Sequence, residues 1–121
     1  MSDWDALDRE IWYWAEAGRT ATLWWRDDDA TWPSPEVRRL LSLGASAEVP
    51  VALAVVPRDT GPDLRDHLLR HPLASVLVHG FGHVNHAPDG EPQDEYGPHR
   101  PRDVRLRELA ESRRRLEDFP G

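Results

Sequence analysis

Cysteine is absent from this 121-residue sequence, which excludes a disulfide framework and any thiolate metal site. A metal, if one is bound, has to be held by histidine and carboxylate. Lysine is absent as well, so all 15 basic residues are arginine; this reads as a coding bias and carries no functional argument. Basic residues are in deficit: 22 acidic side chains leave a net charge of -7. That balance disfavours a nucleic-acid backbone or an anionic membrane as the main partner, and an uncharged or amine-bearing ligand fits better. Long hydrophobic runs are missing too. The most apolar stretch, 49–57, falls far short of the ~20 residues of a membrane helix. No N-terminal segment joins a basic region to an apolar run, so a secretory signal is not expected and the chain is read as cytoplasmic.

What is there is the composition of one soluble globular domain, 39% hydrophobic and 31% charged. Residues 3–18 carry Trp4, Leu7, Ile11, Trp14 and Gly18 at spacings of three and four, which predicts an amphipathic helix with a buried stripe. Its tryptophans are expected in the core. Ser2 or Asp3 can cap its start, and Gly18 can end it. The β-branched and aromatic run 20–26, TATLWWR, predicts a buried strand that ends in Asp27, Asp28 and Asp29. After a proline-rich turn, Ser34 caps a second helix, with Val37, Leu40, Leu41 and Gly44 inward. A second strand is expected at 50–57. A third helix follows at 62–71 with Leu64, Leu68 and Leu69 inward, and a third strand at 74–79. A long polar loop leads to a last helix, 102–118, with Leu106, Leu109, Ala110 and Leu116 inward and Asp103–Arg107 and Glu111–Arg115 as surface pairs. Alternating strands and helices imply a parallel sheet in an α/β fold. Three strands are few for a sheet covered on both faces. Residues 1–121 therefore read as one apparently truncated domain, or as one whose sheet another copy completes as a homo-oligomer.

In parallel α/β folds ligands gather at the carboxyl ends of the strands. Two strands end there in unusual chemistry. Three adjacent carboxylates repel one another and call for compensation, by Arg26 in part and better by a divalent cation. His79 and His83 stand four residues apart, and Gly80 and Gly82 argue against a helix between them, since each would cost about 1 kcal/mol relative to alanine. The glycines instead suit a tight loop that turns both imidazoles to one point. His86 is open between a third ligand, a group behind the ligands or near the substrate, and a surface residue. His67 and His71 share the four-residue spacing but lie on an ordinary helix, where a solvated face is expected. One carboxylate and two imidazoles make an open three-ligand site, and a neighbouring unbound carboxylate can serve as base.

These strings resemble the motifs of the polysaccharide deacetylases (carbohydrate esterase family 4). RDDDA after an apolar strand resembles their first motif, usually threonine-phenylalanine-Asp-Asp-Gly, and HGFGH resembles their His-Ser/Thr-x-x-x-His motif, with the same histidine spacing. WWRDDDA and HGFGHVNHAPDGE, with EYGPHR downstream, are similar to a bacterial branch of that family, and the likeness extends over essentially the whole chain. The resemblance implies a partial (β/α) barrel and a divalent metal, with zinc first. Counting back from Leu40 and Leu41, it implies Asp27 as catalytic base and Asp28, His79 and His83 as metal ligands. A shift by one, to Asp28 and Asp29, stays open because Asp29 stands where the family has glycine. Arg26, Asp29 and His86 are then substrate-binding or support the ligands. The implied reaction is hydrolytic removal of acetyl groups from N- or O-acetylated sugars by water activated at the metal. The alternative is a truncated, non-catalytic metal- or carbohydrate-binding remnant. The threonine and glycine of the first motif are missing, and so are the later arginine motif, the hydrophobic wall and the histidine acid of the family.

Overall fold

A computed structural model describes residues 2–121. Its order is α1 (Asp3–Glu16), β1 (Arg26–Ala30), α2 (Pro35–Ala47), β2 (Val51–Val55), a 3-10 turn (Pro57–Asp59), α3 (Pro62–Leu68), β3 (Ala74–Val78) and α4 (Arg102–Arg115). The three strands are parallel, in the order β1-β2-β3, so the chain is a mixed α/β protein with an open sheet. The central strand β2 is buried along its whole length, as its unbroken apolar sequence VALAV requires. Among the described residues, no helix is long and apolar enough to cross a membrane.

Local chemistry places α2 as expected. The Ser34 hydroxyl accepts from the Val37 amide at 3.2 Å, Pro35 opens the helix, and Val37, Leu41 and Gly44 are buried. Gly44 is a packing requirement, because a Cβ there would collide with the Val51 side chain and crowd the Val49 carbonyl. Leu41, Val51, Leu53, Val55, Leu64 and Leu68 form the centre of the core, with Leu40 packed against it and Leu116 closing it from the C-terminal side.

Four expectations are corrected. The first strand begins at Arg26, not at residue 20. Its first bond to β2 runs from the Ala52 amide to the Trp25 carbonyl, and among the described residues no strand pairs with 20–24. The stripe of α1 is not core: none of its residues is buried, and Trp4 is 73% exposed. The helix is held locally by a capping box, in which the Ser2 hydroxyl accepts from the Asp5 amide and the Asp5 carboxylate accepts from the Ser2 amide. On α3, Leu69 is exposed while His67 is buried, the reverse of the reading given to that face. The helix ends at Leu68, and its inward stripe is therefore Leu64, His67 and Leu68. On α4, Leu106, Leu109 and Ala110 face outward, and the inward line is Arg105, Glu108, Ser112 and Leu116. That face is polar because it packs on a loop instead of on the sheet. The Asp103–Arg107 and Glu111–Arg115 surface pairs form at 3.4 and 2.8 Å.

Candidate metal centre

Because β1 and β3 are parallel members of one sheet, their C-terminal tips lie at the same edge, with β2 between them. β1 is not regular there. Asp27 pairs with Leu53 and Ala30 with Val55, so three steps on β1 face two on β2. This one-residue bulge re-aims a side chain at the strand end. Asp29 takes up the irregularity at φ 67°, a left-handed conformation uncommon for residues other than glycine. Its carboxylate turns toward the tip of β3.

There it meets both histidines. Asp29 Oδ1 lies 3.1 Å from His79 Nε2 and 3.3 Å from His83 Nε2. The two rings stack with centroids 5.0 Å apart. His79 directly follows β3 and its amide donates to the Val55 carbonyl at 2.8 Å, which fixes its height on the sheet. His83 is placed by the loop, at φ 53°.

The loop 80–83 is fastened from three directions. The Glu95 carboxylate accepts from the Gly82 amide at 2.7 Å and from the Phe81 amide at 3.2 Å. Arg58, on the turn after β2, donates its amide to the Phe81 carbonyl at 2.9 Å and its guanidinium to the Gly82 carbonyl at 3.2 Å. Ser112 of α4, fully buried, shares its hydroxyl hydrogen between the Glu108 carbonyl at 2.8 Å and the Gly80 carbonyl at 3.1 Å. The fit is close enough that a Cβ on Gly80 would run into the Glu95 carboxylate and one on Gly82 into the Arg58 guanidinium. Glu95 is held in turn by Arg100, which donates to its carbonyl at 2.9 Å and makes a two-pronged pair with Glu108 at 2.7 and 2.8 Å. That pair holds the Glu108 carboxyl below its ordinary pKa. Glu95, Arg58, Ser112 and the Arg100–Glu108 pair were not singled out from the sequence. The only signal was the acidic and basic content of the loop around EYGPHR, and nothing in a linear string says which of those charges folds back.

The other predicted site residues fall around this centre. Asp28 is not the converging carboxylate; it accepts from Arg26 Nε at 2.6 Å. Arg26 also approaches His79 Nδ1 with its Nη2 at 3.4 Å. A guanidinium only donates, so Nδ1 acts as acceptor in this arrangement. Asp27, Asp28 and Asp29 line a shallow cleft of about 170 Å³ together with Trp32, Ser34 and Glu36. His86 is exposed and stays outside the cluster; its amide donates to the Asp94 carbonyl at 3.0 Å, and its ring acts electrostatically on Glu108. Among the described residues, Asp29, His79 and His83 are the group whose ligand atoms come within 4.8 Å of one another.

The donor set fits a divalent cation. Ligands about 2.0–2.2 Å from a tetrahedral ion stand about 3.3–3.6 Å apart; the Asp29–His83 separation of 3.3 Å meets that spacing and the Asp29–His79 separation of 3.1 Å is slightly shorter. Two imidazoles and a carboxylate, with no sulfur available, are a donor set that divalent first-row metals accept. Asp29 and His83 are more than half exposed, so further positions on the ion would face solvent. No protein-family model matches the sequence, and neither a curated protein nor a solved structure matches it.

Proposed function

We propose that this protein is a metal-dependent hydrolase that removes acetyl groups from N- or O-acetylated sugars, with the open parallel sheet as the arc of a polysaccharide-deacetylase-like barrel. The single observation that carries the reading is the meeting of Asp29, His79 and His83 from two separate strand tips, in strings that resemble both deacetylase motifs. Asp29, His79 and His83 hold the cation. When bound, a divalent cation there polarises an acyl carbonyl and acidifies water. With the ligand at Asp29, the matching base is the preceding Asp28, and Arg26 orients that carboxylate across their 2.6 Å contact. The register counted from α2 would instead pair Asp27 as base with Asp28 as ligand, but Asp28 faces Arg26 and not the two histidines. The base takes the proton of the attacking water, a contribution of about 10²–10⁴-fold, and returns it to the sugar nitrogen or oxygen as the bond to the acetyl carbon breaks, so that acetate and the free sugar amine or hydroxyl are released. The cleft beside Trp32 is where an acetylated sugar ring would be offered to the cation.

A second reading, metal or carbohydrate binding without turnover, is favoured by the openness of the site. The cleft of about 170 Å³ is smaller than the roughly 300–1,000 Å³ of most ligand pockets. One pair of measurements separates the two: zinc content of the purified protein, and acetate release from a chitooligosaccharide by the zinc-loaded protein. The hydrolase reading expects one zinc per chain and acetate release that Asp28→Asn abolishes. Stoichiometric zinc without acetate leaves the binding reading, and absence of zinc removes the hydrolase and the metal-binding readings together.

A further inference from the structure

The α1 stripe that the sequence assigns to a core has no core to join. Leu7 is 47%, Ile11 56% and Trp14 38% exposed, and with Leu23, 91% exposed, they line an open groove of about 600 Å³. No other element makes more than marginal contact with α1. An apolar stripe left uncovered on a folded domain is a candidate contact surface. The stripe carries acid as well. Asp3 lies one turn before Leu7, and Glu10, which accepts from Trp14 Nε1 at 3.0 Å, lines the groove. Over its length α1 holds five acidic residues against one arginine.

α4 presents the complement. Its outward line, at spacings of four, three and four, reads Arg102, Leu106, Leu109 and Arg113. Leu106 is 48% and Leu109 45% exposed, and the two arginines at the ends are exposed. The helix carries six arginines against three acidic residues. Two leucines between arginines match a stripe of Leu7, Ile11 and Trp14 bordered by Asp3 and Glu10 in length, polarity and sign of charge. Within one chain the two helices make no more than marginal contact among the described residues.

We propose that α1 of one copy docks on the outward face of α4 of a second copy, giving a head-to-tail self-association. Different surfaces meet in such a contact, so each copy keeps one free α1 and one free α4, and assembly continues until a ring closes. The apolar centre supplies the attraction; the flanking charges fix register and make the contact sensitive to salt.

Sedimentation of the full chain tests this with two variants, Leu7→Glu/Ile11→Glu and Leu106→Glu/Leu109→Glu. All four positions are exposed, and far-UV circular dichroism checks that each variant remains folded. Wild type is expected to pass beyond dimer as concentration rises, with about tenfold or greater weakening in either variant alone. An equimolar mixture of the two should recover a 1:1 dimer and grow no further, because one intact α1 and one intact α4 remain. Raising salt from 0.05 to 0.5 M, in round figures of about one Debye-length regime to another, should weaken wild-type assembly. A monomeric wild type at all concentrations overturns the proposal. So does a variant that alone associates as tightly as wild type, which would mean that like surfaces pair, and so does a mixture that stays monomeric.

Discussion

Replacing Asp29 and Asp28 by asparagine, one at a time, asks directly which carboxylate serves the metal. Asparagine tolerates the left-handed backbone at position 29, where φ is 67°, nearly as well as aspartate does. The side chain is also more than half exposed, so stability should change by no more than about 0.5 kcal/mol. Zinc affinity should fall steeply. Asp29 is the one carboxylate within 3.3 Å of both imidazoles, and its loss should exceed the roughly 10–100-fold that removal of an outer partner costs at metal sites. Asp28→Asn instead removes only the exposed contact with Arg26, worth about 0–1 kcal/mol, so zinc affinity should change by less than about tenfold. Isothermal titration with zinc, beside thermal melts of the apo proteins, reads both quantities. The opposite ranking, with Asp28→Asn abolishing binding and Asp29→Asn sparing it, would refute the bulge argument and return the ligand to Asp28.

Three further outcomes are expected. Arg26→Gln should raise zinc affinity in the same titration, because Arg26 faces His79 Nδ1 at 3.4 Å and must give way when Nε2 takes a cation; unchanged or weaker binding would show that the guanidinium supports the ligand instead. Glu95→Ala strips acceptors from the Phe81 and Gly82 amides, so it should cost about 1–3 kcal/mol in a denaturant melt and speed hydrogen exchange at those two amides. His67 gives a pH dependence. Burial depresses its pKa, with Arg38, His71 and Arg70 adding to the effect, so the unfolded chain takes up the proton first. Its contribution is then fully present above about pH 6.5, the unfolded value, and is lost as pH falls through the lower folded value. His67→Leu should flatten the decline in melting temperature between pH 7.5 and 5.5, in round figures about one unit either side of that value, and an equally steep decline would remove His67 as its cause.

Reading the helices by period alone succeeded where the inward face is apolar and failed where it is not. Leu41 and Gly44 on α2 and Leu64 and Leu68 on α3 obey the pattern because the sheet takes whatever apolar stripe is offered. On α4 the same rule chose Leu106 and Leu109, but that helix covers a polar loop, and its inward line carries Arg105, Glu108 and Ser112. Periodicity reports which residues avoid water, and it cannot say that a helix will exchange that preference for ion pairs and a hydroxyl bond. The α1 stripe shows the other failure. Its pattern is genuine, but a pattern states that a face seeks cover and not where the cover comes from.

The candidate site divides in the same way. Composition alone excluded thiolate ligands, and the spacing of His79 and His83 between glycines marked them as a pair, since both facts depend only on local chemistry. The parallel order of the strands also followed from the alternation of elements, and it was enough to bring two strand tips to one edge. Which of three adjacent aspartates turns inward was decided by the bulge between Asp27 and Ala30, and a bulge is a property of two paired strands, absent from either one alone. The Glu95 brace is likewise tertiary, because it joins residues 13 and 14 positions apart through a loop whose path is set by α4.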